Sequence, residues 1–302
     1  MTQIRFSRSL LAAGALAGAL YAQAPAMSSP AVVTSYGVFT FIDYPGAVST
    51  QIWAINSRGE MVGVYVDAAR VTHGFLYARG RFTSVDYPGA ALTVANNSNA
   101  QGDIVGEYAA VANGPRRGFV LSGGRFSTIE IPDAPASGVV GIAANGDLVG
   151  YYDNPLRGYL LRGDQLTRID VPAASPTVIG SISPQGHIVG SARVEGVSRG
   201  FLFQDGEFVK HWEYPGANGF TNAIGINAAG DIVGRYLDAA NVSHGYLLSN
   251  GLFTSFDCPG ATFTGAAGIT PDGDIVGRCT VGGVSRGFYL KRGLQPRYTV
   301  TD

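Results

Sequence analysis

The chain has 302 residues, of which 46% are hydrophobic and only 14% are charged, and it contains 43 glycines. This composition is too apolar for a disordered chain and is typical of a compact all-β protein that is rich in turns. The formal net charge of -1 gives no electrostatic reason to expect nucleic acid or an anionic membrane surface as a partner.

The first residues of the chain have the order of a secretory signal peptide. Arg5 and Arg8 precede an apolar run over residues 10–22, and small residues follow at Ala22, Ala24 and Ala26. We predict a signal peptide over residues 1–26, cleaved after Ala24 or Ala26, and a flexible lead over residues 27–36. The apolar run is short for a stable membrane span, and an uncleaved N-terminal anchor is the alternative. The mature protein is therefore expected to be secreted or periplasmic.

One short motif, INAAGDIVGRY at residues 226–236, recurs six times along the chain. The second glycine of the motif falls at Gly63, Gly106, Gly150, Gly190, Gly234 and Gly277, and we number the repeats one to six in this order. A regular period of about 43 residues indicates repeated units that stack into one body. We therefore predict a single domain over residues 37–302.

Each repeat contains four short segments with strand-like patterning, joined by tight turns such as Asn250-Gly251, which suits a two-residue hairpin. Both faces of the segments carry apolar residues, since Phe75 and Tyr77 point one way and Leu76 the other. A unit that is apolar on both faces must pack between two others. The sequence therefore predicts a six-bladed β-propeller of four-stranded antiparallel blades. An open stack is the alternative, but it would leave two apolar faces exposed.

The first segment of each repeat is predicted to lie innermost, because its small side chains let six strands approach one axis. These segments end near Ile55, Ser98, Ile142, Ile182, Ile226 and Ile269. The sixth blade needs a fourth strand from one end of the chain. We favour residues 38–43 for this strand, because the sequence DYPGA, which ends the fourth segment in other repeats, also begins here at Asp43. Residues 297–302 are the alternative.

Hairpin geometry places a basic residue of the third segment opposite an acidic residue of the fourth. The predicted pairs are His73 with Asp86, Arg117 with Glu130, Arg157 with Asp170, Arg199 with Glu213 and His244 with Asp257. A disulfide is predicted between Cys258 and Cys279, because the residues at these two positions vary together in size: three other repeats carry Tyr at both, and the fourth carries the smaller Val171 and Ala192. Two cysteines at touching positions of an exported chain are expected to bond.

The motifs HGF or RGF, DYPGA and I-N-x-x-G-D-I-V-G resemble the bacterial extracellular HAF-type repeat, which is named after the tripeptide His-Ala-Phe. Here the middle residue is Gly throughout, and four of the six copies have Arg in place of His. The resemblance covers about residues 37–293. It implies export and a propeller-like fold, and it supplies no catalytic residues.

The sequence gives little support for metal binding or catalysis. The histidines are His73, His187, His211 and His244, and none has a second ligand at zinc-site spacing. The chain has no Gly-x-Ser-x-Gly elbow, phosphate loop or dinucleotide fingerprint, so no metal and no cofactor is predicted. The residues that differ from the repeat pattern are scattered along the chain, whereas a catalytic site usually brings unlike polar residues together in one place.

The sequence therefore favours a noncatalytic binding or surface-interaction module for an extracellular protein or glycan. The alternative is an extracytoplasmic propeller enzyme, a lyase or hydrolase, with its site at the funnel mouth. The oligomeric state stays open.

A candidate ligand site follows from the position after the repeated glycine, where the six copies differ. The residues at this position are Val64, Glu107, Tyr151, Ser191, Arg235 and Arg278. We predict that Glu107, Tyr151, Arg235 and Arg278 lie near the funnel mouth, where variable loops also gather. The two arginines suit an anionic or carbohydrate ligand. The alternative is that these side chains merely pack between blades or face solvent.

Overall fold

The structure is a computed structural model, and it describes residues 32–33, 36–153 and 155–293. The predicted signal peptide over residues 1–26 and the C-terminal residues 297–302 lie outside the described residues. The first described strands are β1 (Val32–Val33) and β2 (Gly37–Ile42), which pair antiparallel. Part of the predicted flexible lead is therefore a short strand.

Four separate sheets each contain four antiparallel strands that adjoin in chain order. Their strands are β3 (Ser49–Ile55), β4 (Met61–Val66), β5 (Thr72–Ala78) and β6 (Arg81–Val85); β7 (Leu92–Ser98), β8 (Ile104–Ala109), β9 (Arg117–Ser122) and β10 (Arg125–Ile129); β11 (Ser137–Ile142), β12 (Leu148–Tyr152), β13 (Arg157–Arg162) and β14 (Gln165–Ile169); β15 (Thr177–Ile182), β16 (Ile188–Val194), β17 (Val197–Gln204) and β18 (Glu207–Trp212). Each sheet is one of the first four repeats. The prediction of a four-stranded antiparallel blade is confirmed.

The remaining strands form one nine-stranded sheet. They are β19 (Thr221–Ile226), β20 (Ile232–Leu237), β21 (Ser243–Ser249), β22 (Leu252–Phe256), β23 (Ala261–Ile269), β24 (Ile275–Val281) and β25 (Val284–Arg292), together with β1 and β2. The prediction of six separate blades is corrected here, since four blades are separate sheets. The physical reason is that β23 has 9 residues and begins early enough for Phe263 to form a parallel bridge with Ser243 of β21.

The N-terminal strand joins the sixth repeat. β2 pairs antiparallel with β25 along its whole length, from Gly37 opposite Arg292 to Ile42 opposite Gly287. Residues 38–42 therefore take the place of a fourth strand beside β25, as favoured from the sequence. β25 also packs on the first repeat, because a Cβ at Gly287 would lie 2.9 Å from Cγ1 of Ile52 in β3.

A β-bulge interrupts the first strand of each repeat. The bulged residues are Trp53, Asn96, Val140, Gly180, Ile224 and Ala267. The residues that follow the bulges are the small or short Ala54, Asn97, Gly141, Ser181, Gly225 and Gly268. A Cβ at Gly225 would collide with the Ala267 carbonyl oxygen of the next repeat, and one at Gly268 would lie 3.0 Å from the Ala54 Cα. Small residues therefore let neighbouring first strands approach closely.

The predicted cross-strand ion pairs are all present. The nitrogen-to-oxygen distances are 2.9 Å for His73–Asp86, 3.6 Å for Arg117–Glu130, 2.8 Å for Arg157–Asp170, 3.5 Å for Arg199–Glu213 and 2.9 Å for His244–Asp257. Arg286 makes the equivalent contact with Asp43, which follows β2. Cross-strand pairs of this kind contribute about 0.2–1 kcal/mol each, and solvent screening keeps exposed pairs near the lower end.

The disulfide between Cys258 and Cys279 is confirmed, with 6.4 Å between the two Cα atoms. The equivalent tyrosines stack face to face, with ring centroids 3.6 Å apart in Tyr44–Tyr65, Tyr87–Tyr108 and Tyr214–Tyr236. The two positions therefore touch in these repeats, as the covariation of residue size predicted. A structural disulfide is typical of proteins that fold in an oxidising compartment.

His244 is expected to make the stability of the fold depend on pH. Its Nδ1 lies 2.9 Å from Asp257 Oδ2 and its Nε2 lies 3.2 Å from Asp238 Oδ2. Burial lowers the pKa of His244, but hydrogen bonds to Asp257 and Asp238 outweigh this and raise the pKa above its ordinary value. The stabilisation is therefore fully present below the unfolded-state value of about 6.5, and it is lost as the pH rises through the folded-state pKa.

We expect His244→Gln to lower the free energy of unfolding by up to about 1 kcal/mol in acid and by less in alkali. The measurement is urea unfolding of both proteins at about pH 6 and about pH 9, on either side of the raised pKa. If His244→Gln lowers the free energy of unfolding equally at both pH values, or more at the higher one, the proposed role of His244 is wrong.

Candidate functional site

The four predicted site residues occupy equivalent places on the second strands of repeats two, three, five and six. They are Glu107 on β8, Tyr151 on β12, Arg235 on β20 and Arg278 on β24. Their partners on the first strands are Val94, Gly138, Asn222 and Gly265. All four side chains are partly buried, and each contacts a residue of a neighbouring repeat.

Glu107 and Tyr151 meet between the second and third repeats. The Tyr151 hydroxyl donates a hydrogen bond to Glu107 Oε2. Arg116, from the loop between β8 and β9, places its Nη1 3.8 Å from Glu107 Oε1. Burial raises the pKa of Glu107, while the Tyr151 hydrogen bond and the Arg116 charge act in the opposite direction. A side chain at Gly138 would displace this pair, because its Cβ would collide with Glu107 Oε2 and would lie 2.6 Å from the Tyr151 ring.

The guanidinium groups of Arg235 and Arg278 lie among three aromatic rings. The Arg235 Cζ is 4.5 Å from the centroid of Phe220 and 5.5 Å from that of Phe263. The Arg278 Cζ is 4.9 Å from the Phe263 centroid and 5.1 Å from that of Trp53. We call these five side chains the arginine stack. It runs from the fifth repeat through the sixth to Trp53 in the first.

The two guanidinium groups of the arginine stack have no acidic partner among the described residues. Neither forms a salt bridge with any residue in the described ranges, and Arg278 Nη1 donates instead to the neutral Gln51 Oε1 at 2.9 Å. Burial and the neighbouring Arg278 charge lower the pKa of Arg235, and burial lowers that of Arg278. The stack is therefore a concentration of positive charge that this part of the protein does not neutralise.

A cavity of about 200 Å³ lies at the other end of the first strands. Its walls are the last residues of these strands and the turns that follow, and all six repeats contribute. Five equivalent isoleucines, Ile55, Ile142, Ile182, Ile226 and Ile269, form its apolar wall, and Ser98 takes this place in the second repeat. Asn97 Nδ2 donates to Ser181 Oγ at 3.1 Å across repeats two and four. The lining contains no charged side chain.

The predicted site residues and this cavity are separate features. None of the four predicted residues lines the cavity. Glu107 pairs with Val94, three residues before the cavity-lining Asn97, which corresponds to roughly 10 Å along a strand. Sequence reasoning missed the cavity, although the isoleucine that begins most copies of the motif was a signal for it.

The described residues contain no cluster suited to a metal ion, since no group of three or more His, Cys, Asp or Glu side chains is placed to hold one in these ranges. No helix within the same ranges is long and apolar enough to cross a membrane.

No family model matches the chain, and no curated protein matches it. The similar solved structures include virginiamycin B lyase from Staphylococcus aureus, at 13% identity and TM-score 0.50, covering 89% of this chain and 98% of that one. AofleA from Arthrobotrys oligospora has 14% identity and TM-score 0.55, covering 82% of this chain and 84% of that one. The β-propeller domain of the Trilobed protease from Pyrococcus furiosus has 9% identity and TM-score 0.53, covering 89% and 96%.

These likenesses define the class of fold. The chain is an all-β propeller with four-stranded antiparallel blades. The identities are too low to carry any function from those proteins to this one.

Proposed function

We propose that this chain is an exported, noncatalytic binding module that takes a protein or glycan ligand at the mouth formed by the residues after the repeated glycines. One observation carries the proposal. Near the residues that follow the repeated glycines, side chains that differ between repeats contact one another across repeat boundaries, as Glu107 does with Tyr151 and Arg278 with Gln51. A rigid scaffold that holds unlike polar groups at one end is typical of a binding protein.

We propose further that the fold is a six-bladed ring of the HAF-type repeat family, closed by the N-terminal strand. The nine-stranded sheet is then two blades, since a single bridge between Ser243 and Phe263 joins β21 to β23. Support comes from the cavity, to which all six repeats contribute. Close approach of Gly268 in the sixth repeat to Ala54 in the first also supports closure.

We propose that the protein works in the periplasm or outside the cell, after removal of a signal peptide over residues 1–26. Support comes from the Cys258–Cys279 disulfide, which is typical of an oxidising compartment. The signal peptide itself rests on the sequence alone.

Binding to an array of neutral and acidic oligosaccharides tests the proposal, with the purified exported protein as the probe. For the tightest-binding glycan, we expect Trp53→Ala to weaken affinity at least roughly tenfold, because an aromatic wall of the mouth is removed. Ala228→Tyr, at the rim of the opposite cavity, is the matched control and should leave affinity unchanged. The reverse pattern would move the site to the cavity and contradict the proposed location.

A second candidate function is an extracytoplasmic propeller enzyme, a lyase or hydrolase. Glu107, Tyr151 and Arg116 favour it, because they bring unlike polar groups together in one place. A buried carboxyl with a raised pKa is suited to general acid–base chemistry. Breakdown of a bound glycan by the wild type, and its loss in Glu107→Gln, would establish this function in place of simple binding.

A further inference from the structure

We propose that the arginine stack is an anion-binding site, in which Arg235 and Arg278 together hold a carboxylate or sulfate group of the ligand. This inference rests on the proposed function, because it names the ligand class of the same mouth. Three observations carry it: the absence of an acidic partner among the described residues, the aromatic contacts of both guanidinium groups, and the partial exposure of both side chains.

The first observation concerns charge. Among the described residues, seven other arginines lie within 4 Å of a carboxylate, as Arg58 does with Glu60 at 2.6 Å and Arg162 with Asp147 at 3.0 Å. Arg235 and Arg278 are partly buried and close enough to repel each other, yet they have no such partner in the described ranges. Burying a charge without a partner is costly. An anion that contacts both groups would offset this cost and remove the repulsion.

The second observation concerns geometry. A guanidinium group donates hydrogen bonds only in its own plane, and its two faces are apolar. Both guanidinium groups lie against Phe263, and each also lies against a second ring, Phe220 for Arg235 and Trp53 for Arg278. Phe and Trp rings offer no oxygen acceptor, so these contacts leave the guanidinium N–H groups as donors. Arg278 uses one edge nitrogen on Gln51, so it retains other donors for a ligand.

The third observation is that both side chains are partly exposed, while their aromatic contacts restrict them before a ligand arrives. Stacking of Arg on aromatic rings holds the side chain in one orientation, which reduces the entropy lost on binding. Both arginines remain partly exposed, so an anionic group can reach them. Planar forks of this kind match the oxygen pairs of carboxylate and sulfate. A free anion and an acidic saccharide share this chemistry, and the experiment separates them.

Trp53 provides a direct probe of the stack. The protein has two tryptophans, and Trp212→Phe leaves Trp53 as the only indole. In this background, fluorescence is followed during titration with sodium sulfate, sodium glucuronate, a sulfated oligosaccharide and its neutral counterpart, at constant ionic strength. We expect saturable changes with the anions. The double variant Arg235→Gln/Arg278→Gln should weaken binding at least roughly tenfold, since hydrogen bonds to charged groups are strong. Arg125→Gln, at an exposed position of strand β10, is the matched control and should bind as the parent does.

The outcomes are distinct. Tighter binding of the sulfated oligosaccharide than of sulfate identifies an acidic glycan as the source of the anion, while equal binding identifies a free anion. Absence of a saturable response to any anion, or an unchanged response in the double variant, overturns the inference. Binding of only the neutral oligosaccharide, with a Trp53 response, overturns the anion class but retains the proposed function. If the glutamine variant does not fold, Arg235→Lys/Arg278→Lys is used, and it should weaken binding because lysine cannot form the planar fork.

Discussion

Gly106→Ala is expected to destabilise the protein by at least about 3 kcal/mol, at the upper end of the range for overfilled sites. A Cβ at this position would collide with the Val94 carbonyl oxygen on the paired strand, and it would lie 2.9 Å from the Phe119 ring. The carbonyl belongs to a paired backbone and cannot move aside, as the end of a flexible side chain could. The same collision recurs at Gly63, Gly150, Gly190, Gly234 and Gly277, which explains why this glycine is present in every repeat.

Guanidinium unfolding of Gly106→Ala measures this effect. Gly124→Asn is the matched control, because Gly124 has a φ of 77° but open space around it. Asparagine tolerates this backbone conformation, so the control should change stability by less than about 1 kcal/mol. A cost for Gly106→Ala as small as that of the control would contradict the close strand approach.

Loss of the Cys258–Cys279 disulfide is expected to cost about 3 kcal/mol, because the bond closes a loop over a sequence separation of 21 residues in the unfolded chain. Both half-cystines are buried, so the double variant Cys258→Ala/Cys279→Ala also leaves a small cavity. Urea unfolding without reductant measures the difference from the wild type.

A second variant separates the cross-link from local contact. Cys258→Tyr/Cys279→Tyr recreates the stacked pair seen at Tyr44–Tyr65, with rings 3.6 Å apart. It should recover part of the stability that the alanine variant loses, since aromatic pairs contribute about 0.5–1.5 kcal/mol beyond the area that they bury. Equal stability of the alanine variant and the wild type would show that the bond contributes nothing.

The repeated blade could be predicted from the sequence because its determinants are local. Turn residues such as Asn250-Gly251 fix each hairpin. Hairpin geometry alone then places His244 opposite Asp257, and these two side chains form an ion pair in the structure. The nine-stranded sheet could not be predicted. It depends on the length of β23, which begins early enough to place Phe263 beside Ser243 of another repeat. Pairing of β1 with β2 is likewise absent from the repeat pattern.

The candidate site was predictable only in part. Unlike residues at one repeated position pointed to Glu107, Tyr151, Arg235 and Arg278, which occupy equivalent places on their strands. Their partners come from elements outside that pattern. Trp53 occupies a bulge, Phe220 precedes a strand and Arg116 lies in a loop of variable length, so no periodicity indicates them. Whether the four residues bind a ligand stays a prediction.

Binding of an anion by Arg235 and Arg278, as proposed above, is tested most directly by the position of a heavy anion in crystals. Selenate resembles sulfate in shape and charge, and it can be located by its anomalous scattering. After a soak in sodium selenate, the account predicts an anomalous peak within hydrogen-bonding distance of both guanidinium groups, and its loss in Arg235→Gln/Arg278→Gln. Selenate peaks elsewhere on the protein, with none at the arginine stack, would contradict the account.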